Sequence, residues 1–230
     1  MIRENYERIM EEIEKACLRA GRKPEEVKLL AATKTRTPDE IREAYRAGVR
    51  LFGENRVQEA REKIPQLKDL EGAQWHMIGH LQTNKVKYAV ELFNCIETLD
   101  RKELVDELLK RMERKGIERI MNLLVEVKLS PEESKHGCPP EKVEELLSYT
   151  LQFPNLNVLG FMTVPPYLEN PEEVRPYFRE LRQIRDKMER VFGREFPELS
   201  MGMSHDFPVA VEEGATIVRI GTALFGPRSG

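Results

Sequence analysis

The stretch "LLAATKTRTPDEI", residues 29–41, decides how the rest of the chain is read. A near-continuous apolar run leads into Lys34, passes a Thr-Arg-Thr-Pro turn, and opens a helical pattern at Pro38. In an open doubly wound sheet the first strand would lead into a glycine-rich G-x-G-x-x-G turn that cradles a dinucleotide. Here "ATKTRT" holds that place, so both that fold and dinucleotide binding lose their signature. The strand–turn–helix unit remains, and it recurs to the end of the chain.

Eight strands are predicted: "KLLAATK" (28–34), "RLFGEN" (50–55), "AQWHMIG" (73–79), "CIETLD" (95–100), "IMNLLVEVKLS" (120–130), "NVLGFMT" (157–163), "LSMGMS" (199–204) and "TIVRIG" (216–221). Helical patterns such as "RKELVDELLKRMERKG" and "PEEVRPYFRELRQIRDKMERVF" separate them. Strands alternating with helices are parallel and joined by crossovers. Eight of them in 230 residues predict a closed (β/α)8 TIM barrel, a fold that typically takes about 250 residues. Ahead of the first strand, Ile2, Tyr6, Ile9, Ile13 and Cys17 recur at steps of three and four, which predicts an extra N-terminal amphipathic helix ended by Gly21. No Gly/Ser-rich linker divides the chain, so residues 1–230 are read as one domain.

Composition narrows the function classes. Charged residues make up 33% of the chain, yet the net charge is −3, which gives no basic surface for nucleic acid and no acidic tail. A small-molecule partner is expected. Cys17, Cys95 and Cys138 are widely spaced, without a CxxC or Cys/His cluster, which argues against a disulfide framework or a metal site and for a reducing compartment. The N-terminus is charged throughout and no apolar run approaches a membrane span, so a cytoplasmic chain without signal peptide or membrane anchor is expected. A monomer or weak dimer is expected, although helix faces in interfaces and in solvent carry the same periodicity.

In a barrel of this kind the active site forms at the C-terminal ends of the strands. Strand alternation puts Leu30, Ala32 and Lys34 on one face, with Lys34 at the barrel mouth above a small alanine. An amine there has room for a ligand and can form a Schiff base. Taken alone, the segment favours a lysine that snorkels to solvent. Two glycine loops change the balance: Gly202 to Ser204, and Gly221-Thr222-Ala223 after the last strand. Both follow the seventh and eighth strands, where this fold commonly binds phosphate; Ser204 is expected as helix N-cap and phosphate ligand. Arg219 lies two residues before Gly221 on the same face and points inward, either to an ion pair with Glu54 or Glu126 or to a ligand atom. An amine, a phosphate cradle and an arginine at one mouth describe a site for pyridoxal 5'-phosphate (PLP). A guanidinium can donate to the pyridine nitrogen but not protonate it, which disfavours demanding carbanion chemistry.

"LLAATKTRTPDEI", "LFGENRVQE", "WHMIGHLQTNKVK", "GFMTV" and "LSMGMSHDFPVAVEEGATIVRIGTALFG" together resemble the pyridoxal phosphate homeostasis proteins, in order from first strand to last. The resemblance implies a fold-type III PLP barrel like the N-terminal domain of alanine racemase, with the coenzyme on Lys34. It implies further that Ser204, Gly221 and Thr222 hold the phosphate, that Arg219 faces the pyridine nitrogen, and that Asn55 and Met203 line the site. His80 departs from the family, which often has proline or another small residue there, and is expected as a surface or loop imidazole rather than a proton-transfer group. His76 is expected as a hydrogen-bonded strand residue. Lys85 and Lys87 of "NKVK" and Lys135 of "SKHG" are candidates for extra positive charge near the mouth, with a solvated lysine preferred at Lys87.

The related racemases carry an additional β domain and take a second base, a tyrosine, from a partner subunit. This chain stops soon after its eighth strand, so no such domain is expected, and of its tyrosines Tyr167 alone is expected near the mouth. Two-base racemisation needs an acid/base on each face of the substrate carbon, and Lys34 supplies one. The leading expectation is therefore a PLP-binding protein of intracellular PLP homeostasis. It would hold PLP as a Schiff base on Lys34 without efficient turnover and pass it to apo PLP enzymes. The alternative is a PLP-dependent amino-acid racemase or related enzyme, and a third reading is a sugar-phosphate isomerase using Lys34 only as a charge.

Overall fold

The β-branched and leucine-rich runs predicted as strands pair in sequence order. In the computed structural model, which describes residues 1–131 and 136–228, they close into one parallel barrel, β1 to β8, with β8 pairing back onto β1. The strands are β1 (Lys28–Ala32), β2 (Leu51–Glu54), β3 (Gln74–Met77), β4 (Cys95–Leu99), β5 (Met121–Glu126), β6 (Leu156–Met162), β7 (Glu198–Ser200) and β8 (Ile217–Ile220). The crossovers carry α2 (Pro38–Ala47), α3 (Val57–Lys63), α4 (Val86–Leu92), α5 (Lys102–Arg114), α6 (Val143–Thr150), α7 (Arg175–Phe192) and α8 (Phe207–Glu212), and α9 (Thr222–Phe225) follows β8. The extra helix α1 (Ile2–Ala20) buries Ile2, Ile9, Ile13, Ala16 and Cys17 against α2, α8 and α9, and ends where Gly21 turns left-handed.

The alternation of each strand sorts its side chains into two cores. Leu30, Leu51, Ile78, Cys95, Leu124, Met162 and Ile217 fill the barrel interior, while Leu29, Ala31, Phe52, Ile96, Leu123, Phe161 and Val218 face the helices. Helix α2 begins on a capping box: Thr37 accepts the Glu40 N–H, Glu40 accepts the Thr37 N–H, and Pro38 occupies the first turn. Cys17, Cys95 and Cys138 are buried free thiols. Among the described residues no helix is long and apolar enough to cross a membrane, and no group of three potential ligands could hold a metal ion.

Two boundaries differ from the sequence-based expectation. β1 stops at Ala32, and Lys34 sits in the turn that follows. β7 stops at Ser200, which leaves residues 201–206 as a loop, and Ser204 is not the N-cap of α8. That helix starts at Phe207 behind Asp206, because Pro208 favours the first turn and the Asp206 carboxylate accepts the Met203 N–H at 2.8 Å.

Candidate cofactor site

The alternation of β1 continues past its end. Thr33 is buried and faces outward, and its N–H donates to the Gly53 carbonyl at 2.9 Å, extending the ladder by one residue. Lys34 then turns to the mouth, partly buried, with no hydrogen bond or ion pair among the described residues. Asn55 follows the end of β2, and the Ala32–Gly53 register brings it level with Lys34. A Cβ on Gly79 would stand 2.1 Å from the Asn55 carbonyl oxygen, so glycine is what lets the end of β3 pass against the Asn55 backbone.

Arg219 on β8 points inward as expected and is 4% exposed. Neither carboxylate considered for an ion pair takes it. Glu54 faces outward to Thr33 and Lys63, and Glu126 makes no ion pair with it. Its guanidinium donates to the Ser200 hydroxyl and the Thr163 carbonyl, each at 2.8 Å, which leaves three of its five N–H groups without a protein acceptor among the described residues. Ser200 donates in turn to Glu97 at 2.5 Å, and Glu97 meets His76 Nδ1 at 2.6 Å. This polar chain crosses the barrel interior through β8, β7, β4 and β3. Burial alone would raise the Glu97 carboxyl, but hydrogen bonds from His76 and Ser200 and the charges of His76 and Arg219 outweigh it and hold it below the usual range. Burial lowers the Arg219 pKa, against Glu97, Glu126 and Asp206. The sequence reading placed His76 correctly as a hydrogen-bonded strand residue but missed Glu97 and Ser200. A charge inside the strand "CIETLD", on the same face as Cys95, was the available signal.

The two glycine loops meet at one side of the mouth. The Ser204 hydroxyl accepts the N–H of Gly221 at 3.3 Å and of Ala223 at 3.1 Å. Both its acceptor sites are thereby used, and its own proton is left for an incoming anion. A Cβ on Gly221 would meet only Ala32, at 3.7 Å, so the backbone there borders open space beside β1. Thr222 and Met203 are exposed on the same rim. The structure thus brings Lys34, Asn55, Met203, Ser204, Arg219, Gly221 and Thr222 to one end of the barrel. An anion with an aromatic ring nitrogen and a carbonyl fits these donors: a hydroxyl and open backbone for the anion, a fixed guanidinium for the nitrogen, an unpaired amine for the carbonyl. A cavity of about 420 Å³ lies at the opposite face, lined by Lys28, Arg50, Gln74 and His76 among others, but it lacks that set of donors.

The far rim is acidic and aromatic. Burial, with help from Asp100, pushes Glu126 up to about 7, against Arg219. The folded-state value lies above the unfolded one of about 4.3, so the folded protein holds a proton that the unfolded chain has released. Stability from this residue is therefore fully present below that range and falls as pH rises to 7. Glu126→Gln should gain on the wild type between pH 5 and pH 8, by at most about 3 kcal/mol, in melts at the two pH values; a constant difference would show an ordinary carboxyl. His80 lies in the loop after β3, stacks on His136 with ring centroids 3.7 Å apart and has a buried Nδ1 with no hydrogen-bond partner among the described residues, so it is a packed loop imidazole rather than a surface one. Burial, His136 and Arg101 depress its pKa. Tyr167 lies against His205 and is 75% exposed. Lys85 is partly buried, Lys87 sits 5.2 Å from the Tyr88 ring, and Lys135 lies outside the described residues.

The model of the alanine racemase N-terminal domain family matches residues 2–229. The chain is 56% identical over 225 residues to the pyridoxal phosphate homeostasis protein of Aquifex aeolicus, covering 98% of this chain and 97% of that one. The chain belongs to the family of pyridoxal phosphate homeostasis proteins. PipY of Synechococcus elongatus, solved with PLP bound, superposes with a TM-score of 0.84 at 37% identity, covering 98% of this chain and 100% of that one. Alanine racemase of Clostridium difficile shares the fold at 13% identity, with a TM-score of 0.73, over 100% of this chain and 57% of its own.

Proposed function

We propose that this member of the pyridoxal phosphate homeostasis family binds PLP, held as a Schiff base on Lys34, and serves intracellular PLP homeostasis. The observation that carries the reading is that the Lys34 amine, the Ser204 proton and three N–H groups of Arg219 lie on one rim without an acceptor among the described residues. PipY, solved with PLP bound at 37% identity, supports it. Bound PLP supplies an aldehyde for the amine and a ring that can delocalise charge. Ser204 and the backbone at Gly221 and Thr222 would hold the phosphate, Asn55 and Met203 would border the ring, and Arg219 would donate to the ring nitrogen. A guanidinium donates without giving up its proton at neutral pH, so a ring nitrogen held there would stay unprotonated and the ring would be a weak electron sink. Tyr167 is turned to His205 and solvent, which supports the absence of a second base held at the site. A carrier that passes PLP to apo enzymes is therefore preferred to a racemase.

The test is chemical. Protein incubated with PLP and reduced with borohydride should carry one phosphopyridoxyl group, found on Lys34 by peptide mass spectrometry. No label after reduction, or label spread over surface lysines, would refute the reading.

A further inference from the structure

Lys63 on α3 is 7% exposed, an uncommon place for an ammonium. Its Nζ donates to the Thr33 carbonyl at 2.6 Å, to Glu54 at 3.2 Å, and to Glu59. Glu59 also accepts the Thr35 N–H at 2.7 Å. Glu54, fully buried, receives the Thr33 hydroxyl. The backbone on both sides of Lys34 is therefore tied to one ion triad, buried at Glu54 and Lys63 and half-buried at Glu59, while the Lys34 side chain has no hydrogen bond or ion pair among the described residues. Thr35 has φ 65°, the one positive φ outside glycine among the described residues. A β-branched residue in that region is strained and keeps the conformation only when its surroundings impose it. A buried triad is poor value as a stabiliser, since apolar residues of the same volume commonly do as well. Its geometry makes sense as a clamp.

We propose that Glu59 and Lys63 are positioning residues, which fix the Thr33–Thr35 turn so that the Lys34 amine is presented to the barrel mouth. The proposal rests on Lys34 being the PLP anchor. Glu59 restrains the turn at Thr35, and Lys63 does the same at Thr33. Glu59→Ala is the cleaner variant, because Lys63 keeps Glu54 as its counter-charge and no buried charge is orphaned. Lys63→Met removes the other tie. It leaves Glu54 alone, but burial already pushes that carboxyl up to about 7, so it can take a proton.

Two ligands separate positioning from general damage. PLP can join the Lys34 amine; pyridoxamine 5'-phosphate has the same ring and phosphate but no aldehyde. In Glu59→Ala the rate of borohydride-trapped labelling at Lys34 should fall by roughly tenfold or more, the scale on which a misplaced reacting group loses rate. Pyridoxamine 5'-phosphate affinity, by calorimetry, should stay within a factor of about two of wild type, since Ser204, Gly221 and Arg219 are untouched. Lys63→Met should show the same split, and Lys63→Arg, which keeps the charge, should recover part of the rate. Labelling at the wild-type rate in Glu59→Ala, or an equal loss of both ligands, overturns the clamp. If the wild type itself is not labelled at Lys34 while pyridoxamine 5'-phosphate binds, the anchor reading fails first and takes the clamp with it.

Discussion

Gly160→Ala is expected to lower the melting temperature by roughly 6 °C or more, from about 3 kcal/mol of overpacking in a domain of this length. The cause is a register shift. β5 and β6 pair Leu123 with Val158 and then Leu124 with Gly160, so Leu159 is an extra residue in β6. Past the shift, Gly160 is aligned with Glu198 of β7, and a Cβ on it would stand 1.8 Å from the Glu198 carbonyl oxygen and 2.7 Å from its carbon. Those are backbone atoms in a closed barrel, which cannot rotate aside as a side chain would. Gly116→Ala is the control. Gly116 is left-handed at φ 62° with nothing within 4 Å of its Cβ position, so alanine there meets conformational strain alone, about 1 kcal/mol. Thermal denaturation of both variants should separate them clearly. Equal shifts would mean that β7 moves freely at Glu198.

The barrel was legible because its signal is repetitive. Each of the eight apolar runs is short, each is followed by a helical period, and none carries the glycine turn of the rival fold. The strand ends were less legible, since hydrogen bonding rather than hydropathy sets them. Lys34 continues the inward face of Leu30 and Ala32 but lies in a turn beyond β1, and "LSMGMS" looks like a strand although only its first residues pair. Ser204 shows how a local rule misleads. Serine near a helix start suggests an N-cap, but Asp206 and Pro208 set the start of α8, and Ser204 receives N–H groups from Gly221 and Ala223, seventeen and nineteen residues away. No pattern within one segment records such a contact.

The same limit applies to the charges. Glu97 and Glu54 are buried carboxylates whose partners come from other strands and helices, so the sequence shows only that charge interrupts an apolar run; Lys63 shows its i,i+4 partner Glu59 but not its ties to Glu54 and Thr33. Arg219 was legible as an inward arginine because Gly221 fixed its face. Its partners were not, and they matter: had Glu126 formed an ion pair with it, more of its N–H groups would be engaged. Held by Ser200 and Thr163 through two N–H groups, it is fixed in place and still able to donate. A charged donor that is already oriented has little to reorganise when a ligand arrives, which favours tight binding.

Lys34→Ala should abolish colour and covalent trapping together while leaving the fold intact. Lys34 has no hydrogen bond or ion pair among the described residues, so its removal should change stability by no more than about 0.5 kcal/mol, a shift of roughly 2 °C at most. The clamp around it, Lys63 with Glu59 and Glu54, keeps its own bonds through the Thr33 carbonyl and the Thr35 N–H, neither of which depends on the Lys34 side chain. Ser204, Gly221 and Arg219 also remain, so PLP should still bind, but reversibly. It should be lost on dialysis, whereas wild-type protein stays yellow, and borohydride should leave no label. Label appearing instead on Lys85 or another lysine would move the anchor elsewhere on the rim. A large loss of stability in the unliganded variant would mean that Lys34 is a structural residue after all. The contrast with Gly160→Ala is physical: one substitution strains the barrel without touching the ligand's donors, and the other removes a donor on which the barrel does not lean.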